Sequence, residues 1–280
     1  MIMAIRLMYI TNNPQIAQIA ETTGVDRVFI DMEFIGKEER QAGLDCVKLR
    51  HTIDDVRAIR KVLNKTELLV RVNPIHGATM EYNDSYDEIN AAIDAGANVL
   101  MLPMYKSIEE VEKFLTIVNG RVKTQLLTET PEAHRLTTEI AKIPEVDEIH
   151  IGLNDLHLAY KKKFMFELLA DGTVDDICQI LRNSNKKYGF GGIARIGYGL
   201  LPAEYVIREH YRLGSSCAIL SRAFCNADKM NNIEEIEQLF AKEILKIRKA
   251  ENEAILMTKQ ELFENHNTVK RIVSEIVASK

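Results

Sequence analysis

Four acidic residues stand where short apolar runs end. Asp31 and Glu33 close RVFIDM, Glu129 follows KTQLLT, and Asp155 lies in Gly152-Leu153-Asn154-Asp155, just after VDEIHI. Arg71 ends a further run, ELLVRV, ahead of Asn73-Pro74. A charge at the end of an apolar strand is costly unless it meets a partner or a cation. Four carboxylates against one arginine leave negative charge in excess, and a divalent cation would offset it. With only oxygen ligands in sight the ion is expected to be hard: magnesium first, then manganese or another divalent ion. A zinc-type site would need histidines or thiolates in the cluster. His150 reads as lying inside its strand, and His157 two residues past Asp155. Each residue also has a plainer reading: Arg71 as a structural ion pair with Asp31 or Glu33, Glu129 as the cap of a helix starting near Pro131, Asp155 as the cap of a turn. The agreement of four strand ends is what favours the cation.

These residues need a frame that brings strand ends together. β-rich runs are read at 4–10, 27–32, 67–72, 98–102, 123–128, 146–151, 190–196 and 216–220, and helical patterns at 14–22, 52–64, 84–95, 107–118, 132–142, 174–187 and 202–213. A long helical tail follows from 232. Ile16, Ile19 and Ala20 share a face, as do Ile89, Ala92 and Ile93, and Val111, Leu115 and Val118. Gly96 and Gly214 close helices, and Ser107 with Glu110 is a capping-box pattern. Strands this apolar, separated by helices, predict a parallel sheet covered on both faces. Eight strand–helix units predict a closed (β/α)8 TIM barrel rather than an open sheet. The first turn, Ile10-Thr11-Asn12-Asn13-Pro14, lacks the glycines of a dinucleotide fingerprint. In such barrels the reacting groups stand at the carboxyl ends of strands. Glu129 and Asp155 then come from adjacent strands, about 4.8 Å apart in a sheet, and can converge on one ion.

At 280 residues, 46% hydrophobic and 28% charged, the chain is expected to be one α/β domain over 1–280, with the barrel about 4–250 and a helical extension about 232–280. The net charge of −5 argues against nucleic-acid or anionic-membrane surfaces, and no apolar run is long enough to span a bilayer. Four scattered cysteines without a CxxC fit a reduced, cytoplasmic protein, with Cys178 and Cys217 as small core residues. The tail stripe Leu262, Val269, Ile272, Val273, Ile276 serves either an ordinary extension or a neighbouring subunit. A homo-oligomer, trimer or hexamer, built through these helices is the expected assembly.

The segments VFIDMEF, VRVNP, GANVLMLPM, LLTETPEA and VDEIHIGLNDLHL resemble, in order, the landmarks of the HpcH/HpaI aldolase and citrate lyase beta-subunit family, over about residues 5–225. The resemblance implies a metal-dependent lyase that acts on a 2-oxo acid such as pyruvate through an enolate. It implies Glu129 and Asp155 as metal ligands and Arg71 as the group holding the substrate's oxo and carboxylate oxygens. In the aldolase branch a histidine base follows the DxE of strand two; here Phe34 stands in that place. That leaves Asp31, Glu33, Lys37 or His76 as the acid/base. Gly152 and Asn154, with Gly191 and Gly192 of strand seven, are the expected substrate-binding positions. Gly189, Gly191, Gly192, Gly197 and Gly199, with Arg195 and Arg222, would suit a phosphate, or simply permit tight turns. A Schiff-base role for Lys106 is a minor alternative. The rival classes are a phosphoenolpyruvate-type phosphotransferase or mutase, and a non-catalytic barrel that lost its base. Substrate specificity is expected in the loops 34–50, 73–83 and 157–172.

Overall fold

The computed structural model describes residues 4–37, 50–230 and 232–280. Eight parallel strands close into a barrel in sequence order. They are β1 (Arg6–Ile10), β2 (Arg27–Asp31), β3 (Glu67–Arg71), β4 (Val99–Leu102), β5 (Lys123–Thr128), β6 (Glu148–Ile151), β7 (Lys187–Ile193) and β8 (Cys217–Leu220). The predicted (β/α)8 fold is therefore the observed one. Helices α1 (Pro14–Thr23), α2 (Ile53–Val62), α3 (Ser85–Asp94), α4 (Ile108–Val118), α5 (Pro131–Arg135) and α6 (Thr137–Ile140) follow the first five strands. Then come α7 (Leu153–Ala159), α8 (Glu167–Ala170), α9 (Thr173–Asn183), α10 (Ala203–Leu213) and the tail helices α11 (Ile233–Leu256) and α12 (Lys259–Ala278). Among the described residues no helix is long and apolar enough to cross a membrane.

Local chemistry sets the helix ends. Asn13 accepts from the backbone N–H groups of Gln15 and Ile16, with Pro14 beginning α1. Thr52 and Asp55 form a reciprocal capping box on α2. At α4 only half of the expected box forms: Ser107 accepts from Glu110 N, while the Glu110 carboxylate turns to Lys106 N at 2.6 Å.

Three boundaries differ from expectation. Strand seven runs Lys187–Ile193 rather than 190–196, because α9 ends at Asn183 and Asn185 takes a left-handed turn (φ 55°). The helical pattern at 132–142 is broken in two at Leu136. The expected loop 157–172 carries the end of α7 and all of α8. Cys178 and Cys217 are buried core residues, as expected; Cys46 and most of the 34–50 loop lie outside the described residues.

Alternate residues along the strands face the barrel axis and fill it in layers. The lowest layer is ionic: fully buried Arg27 joins Glu148 at 2.8 Å and Glu67 at 2.6 Å, and Arg6, Lys123 and Gln125 complete the network. Burial alone would raise the Glu148 carboxyl, but the hydrogen bonds and charge of Arg27, with Arg6, outweigh it and hold it at about 2. Above lies an apolar layer of Met8, Phe29, Leu69, Val99, Met101, Leu127 and Cys217. The uppermost layer carries Asp31 and Arg71, paired in register across β2 and β3, and opens at the carboxyl ends of the strands.

The tail packs on its own barrel. Helix α11 lies on α1 and α10, and α12 on α10 and α8, with Val269 and Val273 buried. Buried Glu209 on α10 receives Arg212, Asn265 at 3.0 Å and His266 at 3.0 Å. Glu251 accepts from Ile5 N at 2.6 Å and Tyr211 OH at 3.1 Å. The stripe read in the sequence thus serves the chain itself, while Leu245, Leu256 and Phe263 remain exposed.

Candidate active site

A cavity of about 340 Å³ opens at the carboxyl-terminal mouth of the barrel. Its walls include Asp31, Arg71, Glu129, Gly152, Asn154, Asp155, Gly191 and Gly192, so the expected site residues converge, with Glu33 bonded to Arg71 beside them. Lys37, Arg222, Ser221, Thr11, Asn226 and His150 line it as well. A larger cleft of about 960 Å³ lies at the opposite end, between Arg60, Arg121, Lys123 and Asp147. Placement at the amino-terminal ends of the strands sets it apart from barrel chemistry.

Arg71 is held in a fixed pose. Its Nε and Nη2 bond the two oxygens of Asp31 at 2.8 and 2.7 Å, its Nη1 lies 3.2 Å from Glu33, and its guanidinium sits over the Phe29 ring at 5.7 Å. Burial opposes the guanidinium charge, but Asp31, Glu33 and Glu129 together raise its pKa well above the usual value. Lys37 Nζ adds a third contact to Asp31 at 2.6 Å. Burial would raise Asp31, yet Arg71 and Lys37 keep its carboxyl well below the usual range. The charge balance read from sequence is thereby corrected: Lys37 joins Arg71, so Asp31, Glu33, Arg71 and Lys37 form a quartet of net zero charge. Glu129 and Asp155 on the same cavity wall add two formal negative charges.

Glu129 is fixed from two sides. Its Oε1 accepts from Met104 N at 3.1 Å, and Met104 takes the left-handed φ of 54° that non-glycine residues rarely adopt. The same loop bonds the end of β5 again, through Thr130 Oγ1 to Tyr105 O at 3.0 Å and Tyr105 OH to Thr128 Oγ1 at 2.8 Å. Gly152 supplies room on the other side: a Cβ there would lie 2.7 Å from Glu129 Cβ and 3.0 Å from its Oε2. Asp155 stands in the first turn of α7, half-buried, and Asn154 beside it is exposed.

The remaining acid/base candidates are placed elsewhere. His76 is absent from the cavity wall; its ring nitrogens lie 2.8 Å from Pro74 O and 3.0 Å from Asn83 O. Phe34 packs edge-on against Tyr82 under the Arg50 guanidinium. Asn73 shapes this turn, accepting from Phe34 N and Ile35 N at 2.9 and 3.0 Å. Lys106 is exposed and outside the wall. Of the glycine cluster, only Gly191 and Gly192 line the cavity, with Arg222; Arg195 instead covers Tyr198.

His150 is the residue the strand-end rule passed over. It faces inward from the middle of β6, two residues above Glu148 and two below Gly152. Burial brings its pKa down to about 4 against a hydrogen bond to the Gly191 backbone, with Arg27 and Arg71 acting in the same direction as burial. Period-two alternation from Gly152 was the signal that places it.

A closed parallel barrel with paired carboxylates and a clamped arginine at its carboxyl-terminal mouth has the layout of a barrel enzyme. The profile of the HpcH/HpaI aldolase/citrate lyase family matches residues 6–167, and the chain belongs to that family of lyase-type enzymes. Among solved structures it is similar to an HpcH/HpaI aldolase/citrate lyase family protein from Burkholderia cenocepacia J2315, at 14% identity over 83% of this chain and 95% of that one (TM-score 0.61). It is also similar to protein CitE from Mycobacterium tuberculosis in complex with magnesium and acetoacetate, at 15% identity over 94% and 97% (TM-score 0.59). The HpcH/HpaI aldolase from Desulfitobacterium hafniense DCB-2 is similar at 13% identity over 88% and 93% (TM-score 0.59). At these identities the likeness is one of fold. No curated protein sequence matches the chain.

Proposed function

We propose that this chain is a divalent-cation-dependent carbon–carbon lyase of the aldolase type, acting on a 2-oxo acid of the pyruvate kind. The observation that carries the reading is the convergence of Glu129, Asp155 and the clamped Arg71 on one cavity of about 340 Å³. Among the described residues no group of three or more histidine, cysteine or acidic side chains could hold a metal. A two-carboxylate set suits magnesium, which keeps several waters and takes further oxygens from substrate, and does not suit zinc. Magnesium bound to Glu129 and Asp155 would supply Lewis acidity, worth several kcal/mol of charge stabilisation at a developing oxyanion.

The protein's own groups do the rest. Arg71, fixed by Asp31 and Glu33, presents an oriented cation to the oxo and carboxylate oxygens without reorganising. Its partners keep it rigid, so the donor geometry exists before substrate arrives. Asn154 and the Gly191-Gly192 backbone border the same space, while Leu127, Leu153 and Met165 give it an apolar side that excludes water. The bound complexes of CitE with magnesium and acetoacetate, and of the M. tuberculosis citrate lyase beta subunit with oxaloacetate and magnesium, support the choice of ion and ligand class.

The test is deuterium exchange at the pyruvate methyl in D2O, together with cleavage of 4-hydroxy-2-oxo acids, with magnesium, manganese or chelator. Exchange in the wild type that stops with chelator and in Glu129→Gln is the expected result. A Glu129→Gln protein that matches wild type with every oxo acid overturns the reading.

A further inference from the structure

We infer that His150 is the proton-transfer group of this cavity, taking the place that the strand-two segment leaves unfilled. The inference rests on the proposed lyase reaction and names its acid/base.

The other acid/base candidates are engaged in ion pairs, loop hydrogen bonds or cation binding. Both oxygens of Asp31 are held by Arg71 and Lys37. Glu33 sits 3.2 Å from Arg71 and 4.0 Å from Lys37, His76 is bonded within its own loop, and Glu129 and Asp155 are assigned to the cation. His150 is the one imidazole among the described residues of the cavity wall.

Its surroundings orient it, and the ring itself hydrogen-bonds the Gly191 backbone on the same cavity wall. The register places His150 between Leu127 on β5 and Gly189 on β7. Gly189 has no side chain, and any Cβ there would collide with Cys217. Cys217 therefore fills that space, and its Sγ lies 3.7 Å from His150 Nδ1. A thiol can donate or accept weakly, so it accompanies either tautomer of the ring. Burial pushes the Cys217 thiol up to about 12, so it stays protonated beside the imidazole.

The charged and titratable groups facing the ring are Arg71 above, Arg27 and Glu148 below, and His210 on α10. Burial and the two arginines keep His150 neutral at neutral pH, which is the form that accepts a proton. The negative charge of a bound 2-oxo acid favours the imidazolium that results.

In the cleavage direction a ring nitrogen takes the proton of the substrate hydroxyl. The bond from that carbon to the carbon next to the ketone breaks, and its electron pair passes to the 2-oxo half as an enolate. The alcohol carbon leaves as an aldehyde. The imidazolium then returns the proton to the enolate carbon, giving the 2-oxo acid.

The experiment compares wild type, His150→Gln and His150→Asn in magnesium-dependent exchange at the pyruvate methyl across pH. Melting temperature and magnesium–oxalate binding are measured alongside. The expected result is a rate about 10²–10⁴-fold lower in both variants. Oxalate affinity stays within about threefold of wild type, as expected for a group that acts by proton transfer rather than uniform binding, and the acid limb of the wild-type profile disappears. Variants that exchange at the wild-type rate overturn the role of His150 alone. Variants that lose oxalate binding and melting temperature together with exchange show a structural histidine, which also overturns it. A wild type without exchange or cleavage on any oxo acid overturns the reaction and this role with it.

Discussion

Gly152→Ala is a sharp probe of the site, because it adds one methyl group against a proposed metal ligand. At φ −81° and ψ 83° the backbone accepts alanine, so the cost is steric. The new Cβ would lie 2.7 Å from Glu129 Cβ, 3.0 Å from Oε2 and 3.2 Å from Leu127 Cδ1. To reach ordinary carbon contact at about 3.5 Å or more, Glu129 must retreat by roughly 0.8 Å. Overpacking of this kind costs about 1–3 kcal/mol, or a fall of roughly 2–12 °C in melting temperature. Metal–ligand distances tolerate only about 0.2 Å, so the shift should weaken cation binding at least about tenfold, or ~1.4 kcal/mol. The assay is manganese binding followed by electron paramagnetic resonance, paired with melts in magnesium and in chelator. Wild type should melt higher in magnesium, and the variant should lose most of that increment. A variant that melts lower yet binds manganese within twofold of wild type would falsify the assignment of Glu129.

Other expectations concern the barrel interior. Arg27→Met leaves Glu148 buried with a diminished partner set, and breaking a buried pair costs about 3–5 kcal/mol, so the melting temperature should drop by roughly 6–20 °C; a drop under about 2 °C refutes the stabilising role of this ionic layer. Because Glu148 is lowered from 4.5 to about 2, its contribution is fully present above 4.5 and lost as pH falls toward 2, and that acid limb should shrink in Arg27→Met. His210 and His150 are lowered from 6.5 to about 3 and about 4, so the unfolded chain takes up protons first. Their stabilisation is present above 6.5 and lost as pH falls from there, at about 1.4 kcal/mol per pH unit for each group. His210→Phe, which keeps the parallel stack on Phe190 at 3.8 Å, should flatten that slope in urea melts between pH 7 and 4.5; an unchanged slope removes His210 from the account.

The frame was legible because its signals are local. Apolar runs, helix caps and the carboxyl-end rule were enough to bring Asp31, Arg71, Glu129 and Asp155 to one mouth. What escaped depends on contacts between distant segments. The apolar pattern places strand seven three residues late because its start is polar, at Lys187-Tyr188, while its pairing with Glu148 and Ile149 fixes it there. Lys37 reaches Asp31 only through the fold of the turn that Asn73 holds, and nothing in its spacing announces that. The strand-end rule does not reach His150, an interior residue, although the interior of this strand opens onto the cavity.

The grip of the tail on the first strand has a consequence for how the chain is made. Ile5 gives its N–H to Glu251 and its carbonyl to Arg248, across more than 240 residues of sequence. β1 leaves the ribosome ahead of the other seven strands, yet these partners emerge after all eight. At about 5–20 residues per second, the wait is roughly 12–50 s. Until then β1 lacks these bonds, and its β8 neighbour also comes more than 200 residues after it, so the barrel can close only once β8 has emerged. A nascent chain of this kind exposes an open sheet edge for longer than its finished structure suggests, and it should lean on holding chaperones accordingly.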